Sequence, residues 1–199
     1  MPTLAVAGLL LIFAYLLGSV CSAIIVCRSL GLADPRTEGS RNPGTTNVLR
    51  IGGKGPALLT LAGDMLKGVL PVLVGHYLGL DPALLAGIGV AAFLGHLYPV
   101  FFGFEGGKGV ATALGVLLAL YWPLGLVVVG IWIAAFAATR ISSLGAIIGF
   151  IAAPVLCWFL LPGATPGIAL MSLLLLYRHQ ANIRALLKGE ERKFGSKKD

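Results

Sequence analysis

Seven apolar runs fill most of the chain, at 4–26, 56–80, 82–104, 110–121, 124–138, 144–161 and 167–177. Three are long enough to cross the ~30 Å hydrocarbon core of a bilayer as a single helix. Of the 199 residues, 57% are hydrophobic and 12% are charged. An ordinary soluble domain carries about 25% charge, so this chain cannot cover itself with a water-compatible surface. A soluble enzyme, a nucleic-acid binder and a disordered chain are thereby excluded, and a polytopic helical membrane protein is expected.

The breaks between the runs set its orientation. The turns at 81–82, 122–123 and 161–163 hold no Lys or Arg, whereas residues 28–54 hold five and the tail from Arg178 holds seven. Lys108 and Arg140 punctuate the rest, and Lys67 lies inside a run. Alternating crossings from an outside N-terminus put every basic break on one face, in accord with the positive-inside rule. The net charge of +7 is thus assigned to cytoplasmic loops rather than to nucleic-acid binding. A rival with one kinked helix over 110–139 would run about 45 Å and would separate Lys108 from Arg140. The expectation is therefore one all-α domain over 1–199 with seven transmembrane helices, some short, its N-terminus outside and its C-terminus cytoplasmic. The first run is read as one unbroken helix. Cys21, Cys27 and Cys157 are odd in number and lie in apolar runs. They read as packing residues, not as a disulfide or metal set.

The stretch 32–56, LADPRTEGSRNPGTTNVLRIGGKGP, is too long and too specifically composed for a mere connector. Gly39, Gly44, Gly52, Gly53 and Gly55 permit close backbone approach. Ser40, Asn42, Thr45, Thr46 and Asn47 supply neutral hydrogen-bonding groups, and Arg36, Arg41 and Arg50 supply charge. That mixture suits an oxyanion such as phosphate. A solvated basic loop lying on anionic lipid is the plainer alternative.

In the second stretch, Gly106, Gly107 and Gly109 clasp Lys108 where a helix begins, ten residues or so after His96. Helix N-termini bind anions through free N–H groups and the dipole. A Walker A loop is excluded, because Phe102 stands where its first Gly would be and Gly109 where the Mg²⁺-binding Ser/Thr would be. The third stretch, 178–193, reads by composition as a basic amphipathic helix, which serves equally as a membrane-surface anchor. Asp64 and Lys67 share one helical face inside the membrane, where ionisable residues are functional or mutually paired. Ser142 and Ser143 read most simply as a helix cap after Arg140. His76 and Asp81 have the HxxxxD spacing of acyl-CoA-dependent acyltransferases, but no Lys or Arg lies near them to hold a phosphate.

Together the three stretches resemble the PlsY family of bacterial acyl-phosphate:glycerol-3-phosphate acyltransferases. The matching residues are GSRNPGTTNVLR at 39–50, GH-x-x-P leading to GGKGVAT at 95–112, and HQANIRALLKGEE at 179–191, with DxxKG at 64–68 and Ser143-Leu144 in minor agreement. The resemblance implies transfer of a fatty acyl group from acyl phosphate to the sn-1 hydroxyl of glycerol 3-phosphate. Lysophosphatidic acid and phosphate would be released at the cytoplasmic face of a bacterial inner membrane. It further implies that no metal or cofactor is needed; a monomer in contact with membrane lipid, and no nucleic acid, is expected. Ser40, Arg50, Lys108 and Asn182 would act by positioning and electrostatics. Arg41, Asn42, Gly44, Thr46, Asn47, His96, Gly106, Gly107, Gly109, Thr112, Ser142, Ser143, His179, Arg184 and Glu191 would bind substrate, supported by Asp64 and Lys67. Ala185 stands where the family carries Arg, and Arg184 is placed to turn toward that role.

A carrier of phosphate-bearing lipid is the rival from another class, but it would show repeat symmetry and mid-membrane polar residues in both halves. A purely structural subunit leaves three phosphate-suited stretches unexplained. For the base, a phosphate monoester's second pKa near ~6 suits the substrate's own phosphate, with His96 or His179 as alternatives.

Overall fold

The computed structural model describes residues 4–195, and these form helices, turns and loops without a strand. Ten helices follow in order: α1 (Leu4–Gly18), α2 (Ser22–Ser29), α3 (Thr45–Gly52), α4 (Lys54–Tyr77), α5 (Pro82–Leu97), α6 (Val110–Leu120), α7 (Trp122–Thr139), α8 (Ser142–Leu160), α9 (Thr165–Arg178) and α10 (Gln180–Leu187). Five segments are long and apolar enough to cross a membrane: Ala5–Ser29, Lys54–Tyr77, Pro82–Phe102, Trp122–Thr139 and Ser142–Leu160. The α6 helix, with 11 residues, and α9, with 14, are shorter. Length alone therefore accounts for five of the seven expected crossings.

Two sequence expectations change here. The first run is not one helix, because it breaks at residues 19–21 between α1 and α2. Nothing apolar forces that break; the carbonyl of Val20, within it, accepts a hydrogen bond from Lys67 Nζ at 2.8 Å. The second concerns the serines, since Ile141 is the N-cap of α8 and makes no side-chain cap. Ser143 turns to another partner instead.

Proline and aspartate place the other ends. Tyr121 is extended between α6 and α7, and Pro123 lies in the first turn of α7. Having no N–H, it cannot extend the ladder of α6, but it costs nothing where a helix begins. The kinked single helix over 110–139 is thus absent. Asp81 caps α5, accepting from the N–H groups of Ala83 and Leu84 at 2.9 and 3.0 Å. His76 Nε2 instead faces the Leu120 carbonyl at 3.3 Å, so the HxxxxD pair makes a helix cap and a helix contact, not a dyad.

Small residues let the helices meet backbone to backbone. Gly18 rests on the Ala92 backbone and Gly95 on that of Tyr15 and Ser19, joining α1 to α5. Gly68 and Gly115 do the same between α4 and α6, against Thr112 and Met65. Phe93, Phe150, Leu117, Leu124 and Met171 fill the interior. Leu9, Trp158, Phe159 and Leu173 lie exposed on the outside, the arrangement a lipid-facing surface requires. The bundle has two unlike ends. One gathers the turns around Leu80, Leu120 and Gly163, and the other the long loops with the Lys and Arg residues.

Candidate active site

At the basic end, residues from four segments meet. Lys108 Nζ donates to Asn182 Oδ1 at 2.6 Å. Asn182 Nδ2 donates to Glu191 Oε1 at 2.6 Å, and the Ser143 hydroxyl donates to the same oxygen at 2.5 Å. The loop before α6, the start of α8, α10 and the tail are thereby tied into one network. Burial lowers the Lys108 pKa, opposed by the Glu191 carboxylate and reinforced by the Arg178 and Arg50 guanidiniums. Arg50 lies on α3 and is coupled to the lysine through charge alone.

The glycine loop is held from below and from the side. Gly109 caps α6 at φ 86, and a Cβ there would strike the Phe93 ring. Gly107 N–H donates to the His96 carbonyl at 3.2 Å. Arg178, at the end of α9, donates to the carbonyls of Gly106 at 2.9 Å and Gly107 at 3.3 Å, and its guanidinium lies 5.9 Å from the centre of the Tyr98 ring. Sequence reasoning did not single out Arg178. In the sequence it is only an Arg directly after the last apolar run, and nothing there points to its backbone partners.

The 32–56 stretch packs over the same loop. A Cβ on Gly107 would meet the Pro43 carbonyl at 2.9 Å. Asn47 is buried, accepting from Ser40 N–H at 2.8 Å and donating to the carbonyls of Pro35 and Glu38 at 2.9 and 3.0 Å. Its amide therefore organises the loop. Arg36 grips Asp34 at 2.7 Å and lies 3.7 Å from Glu105. That pairing lowers the Asp34 pKa and raises that of Arg36. Arg41 holds a positive φ of 55, an uncommon conformation for a side chain of this size. A cleft of roughly 370 Å³ opens between Arg36, Arg41, Pro43, Phe104, Glu105, Gly106 and Arg178.

The remaining expected residues are dispersed around this centre. Gly44 is the N-cap of α3, Asn42 Nδ2 lies beside it, and Thr46 is half-buried in its first turn. Ser142 gives its carbonyl to Trp132 Nε1 at 3.2 Å. Thr112 is wholly buried in the first turn of α6, its hydroxyl without a hydrogen-bond partner. Arg184 is exposed on α10. His179 Nδ1 donates to the Leu175 carbonyl at 2.9 Å. Burial depresses its pKa to about 4, with Lys108 and Arg178 adding to the effect. Asp64, Lys67 and His96 lie beneath the loop, and Lys67 Nζ is 2.9 Å from Asp64 Oδ1.

Beyond Glu191 the tail is clipped in place. Phe194 N–H donates to the Arg140 carbonyl at 2.7 Å, and its ring meets Phe136 edge-on, with Phe136 stacked on Trp132. No group of three or more His, Cys, Asp or Glu suited to a metal occurs among the described residues.

The sequence model for glycerol-3-phosphate acyltransferase matches residues 8–189. A glycerol-3-phosphate acyltransferase of Methylococcus capsulatus is 57% identical over 195 residues, covering 97% of this chain and 98% of its own. That of Thioalkalivibrio sulfidiphilus is 54% identical over 194 residues, covering 96% and 95%. Crystal structures of PlsY, described as an integral membrane glycerol 3-phosphate acyltransferase, superpose with TM-scores of 0.91 for a glycerol 3-phosphate form and 0.89 for a lysophosphatidic acid form. Each is 40% identical and covers 96% of both chains. This integral membrane helical bundle belongs to the glycerol-3-phosphate acyltransferase family.

Proposed function

We propose that the protein transfers a fatty acyl group from acyl phosphate to the sn-1 hydroxyl of glycerol 3-phosphate, releasing lysophosphatidic acid and inorganic phosphate. The observation that carries this reading is the Lys108–Asn182–Glu191–Ser143 network, with Arg178 bonded to the adjoining glycine carbonyls. Both substrates carry phosphate, and a desolvated cation in a glycine loop fits that group. The acyl-phosphate donor follows from the resemblance of the three motifs to the PlsY family.

In the reaction the sn-1 oxygen attacks the acyl carbonyl carbon, a new ester bond forms, and the bond from that carbon to the phosphate oxygen breaks. The hydroxyl proton passes to a phosphate oxygen of the substrates. Lys108, Arg50, Ser143, His179 and Asn182 hold the phosphates and stabilise the developing charge, so positioning and electrostatics carry the catalysis. Ser40, Arg41 and Asn42, on the loop before α3, and Arg184, on α10, border the substrates.

The protein works as a monomer, without metal or cofactor, in a bacterial inner membrane. Seven crossings place the N-terminus outside and the basic end, with the site, in the cytoplasm. The α6 helix supports that count: it starts beside Phe93 at the basic end and finishes at Leu120 beside His76 at the other. Purified protein supplied with glycerol 3-phosphate and either acyl phosphate or acyl-CoA tests the donor. Lysophosphatidate from acyl phosphate alone is expected, and equal use of acyl-CoA would contradict the reading.

A further inference from the structure

Three buried ionisable side chains beneath the glycine loop are not used by the proposed chemistry. Asp64, Lys67 and His96 are only 1, 3 and 5% exposed. Lys67 Nζ bridges Asp64 Oδ1, 2.9 Å away, and the Val20 carbonyl at the break of the first span, 2.8 Å away. His96 Nδ1 lies 3.7 Å from the same Asp64 oxygen. The opposite edge of that ring faces the loop, so a Cβ on Gly107 would run into His96 Nε2. The His96 backbone carbonyl also takes the Gly107 N–H.

Lys67 and the Val20 carbonyl close the break in the first span, and Asp64 neutralises the buried ammonium. The carboxylate does more, because it has a second neighbour whose far side supports the residue before Lys108. At 3.7 Å the contact is electrostatic rather than a hydrogen bond, and it favours the ring orientation that turns Nδ1 toward the carboxylate. We propose that Asp64 and Lys67 are positioning residues for acyl transfer: the pair holds the His96 ring against Gly107 and so sets the backbone from which Lys108 reaches substrate phosphate. This rests on the proposed function of the loop as a phosphate site.

The order of effects follows from the chain of contacts. Asp64→Asn leaves Lys67 buried without its counter-ion, a destabilising change, and leaves His96 without its carboxylate. In Asp64→Leu/Lys67→Met both charges are gone, and replacing a buried ion pair by apolar residues is often neutral for stability. Stability and positioning are thereby separated.

The test is steady-state kinetics and thermal unfolding of the full-length protein in detergent, for wild type, Asp64→Asn, His96→Gln, their double variant and Asp64→Leu/Lys67→Met. The expected result is a KM for glycerol 3-phosphate raised at least about tenfold in Asp64→Asn and in Asp64→Leu/Lys67→Met, the latter unfolding near the wild-type temperature. Adding Asp64→Asn to His96→Gln should change KM by less than twofold, since the carboxylate acts through the ring. Wild-type KM in the apolar pair, or KM effects that multiply in the Asp64/His96 double variant, would overturn the positioning role while wild-type turnover persists. Absence of turnover in the wild type would instead overturn the proposed function, and the inference with it.

Discussion

Lys108 Nζ and Asn182 Oδ1, 74 residues apart in sequence, are 2.6 Å apart in space. An amide suits the position between Lys108 and Glu191, since it accepts from the ammonium while donating to the carboxylate. Asn182→Leu keeps the volume and loses both bonds. A charge-assisted hydrogen bond is worth about 1.5–3 kcal/mol, so kcat/KM should fall about ten- to a hundredfold. Asn182→Asp should fall further, because a second carboxylate then faces Glu191. Steady-state assays check both, and activity within twofold of wild type in Asn182→Leu would show that the bridge does not matter.

Gly107 offers a steric prediction. A methyl group there meets the His96 ring and the Pro43 carbonyl, whereas one on Gly55, in the first turn of α4, meets nothing within 4 Å. Gly107→Ala should raise the KM for glycerol 3-phosphate by at least about tenfold, and Gly55→Ala should stay within twofold. Equal kinetics for the two variants would contradict the cradle.

His179 bears on the identity of the base. With its pKa depressed to about 4, below the ordinary value near 6.5, the ring is neutral throughout the physiological range. A fall in kcat on acidification near pH ~6 should then reflect the substrate phosphate and should persist unchanged in His179→Gln. A limb that disappears in the variant, with kcat lowered about 10³-fold, would identify His179 as the general base.

Much of the scaffold was legible because apolar runs, prolines and charges mark helices and their ends directly. Pro123 separates α6 from α7, and Asp81-Pro82 starts α5. The break at residues 19–21 was not legible. Those residues continue an apolar run, and its partner Lys67 is 47 residues away. The i, i+3 spacing of Asp64 and Lys67 announces their pairing, but not the approach of His96 from α5. Lys108 stands out by its glycine cradle, and Ser143, Asn182 and Glu191 through the family resemblance; the structure brings the four together. Arg178 and Phe194 could not, because their partners are backbone carbonyls and an aromatic face. Asn47 looks like a ligand in sequence, yet its amide is bonded to its own loop.

The unlike ends of the bundle predict its orientation. Single cysteines at positions 81 and 163, in a cysteine-free background, should react with an impermeant thiol reagent from outside the cell. Positions 41 and 188 should react only once the cytoplasmic side is opened. Labelling of 81 or 163 solely from the cytoplasm would reverse the topology.

The most direct measurement follows both products at once in wild type and Lys108→Ala. With acyl phosphate and glycerol 3-phosphate, the wild type should release lysophosphatidate and inorganic phosphate in equal amounts. Lys108→Ala, unfolding at an unchanged temperature, should lose at least about tenfold of both, in line with the ~1.5–3 kcal/mol of a charge-assisted contact. Phosphate release without lysophosphatidate in the wild type, or activity within twofold in Lys108→Ala, would contradict acyl transfer at this site.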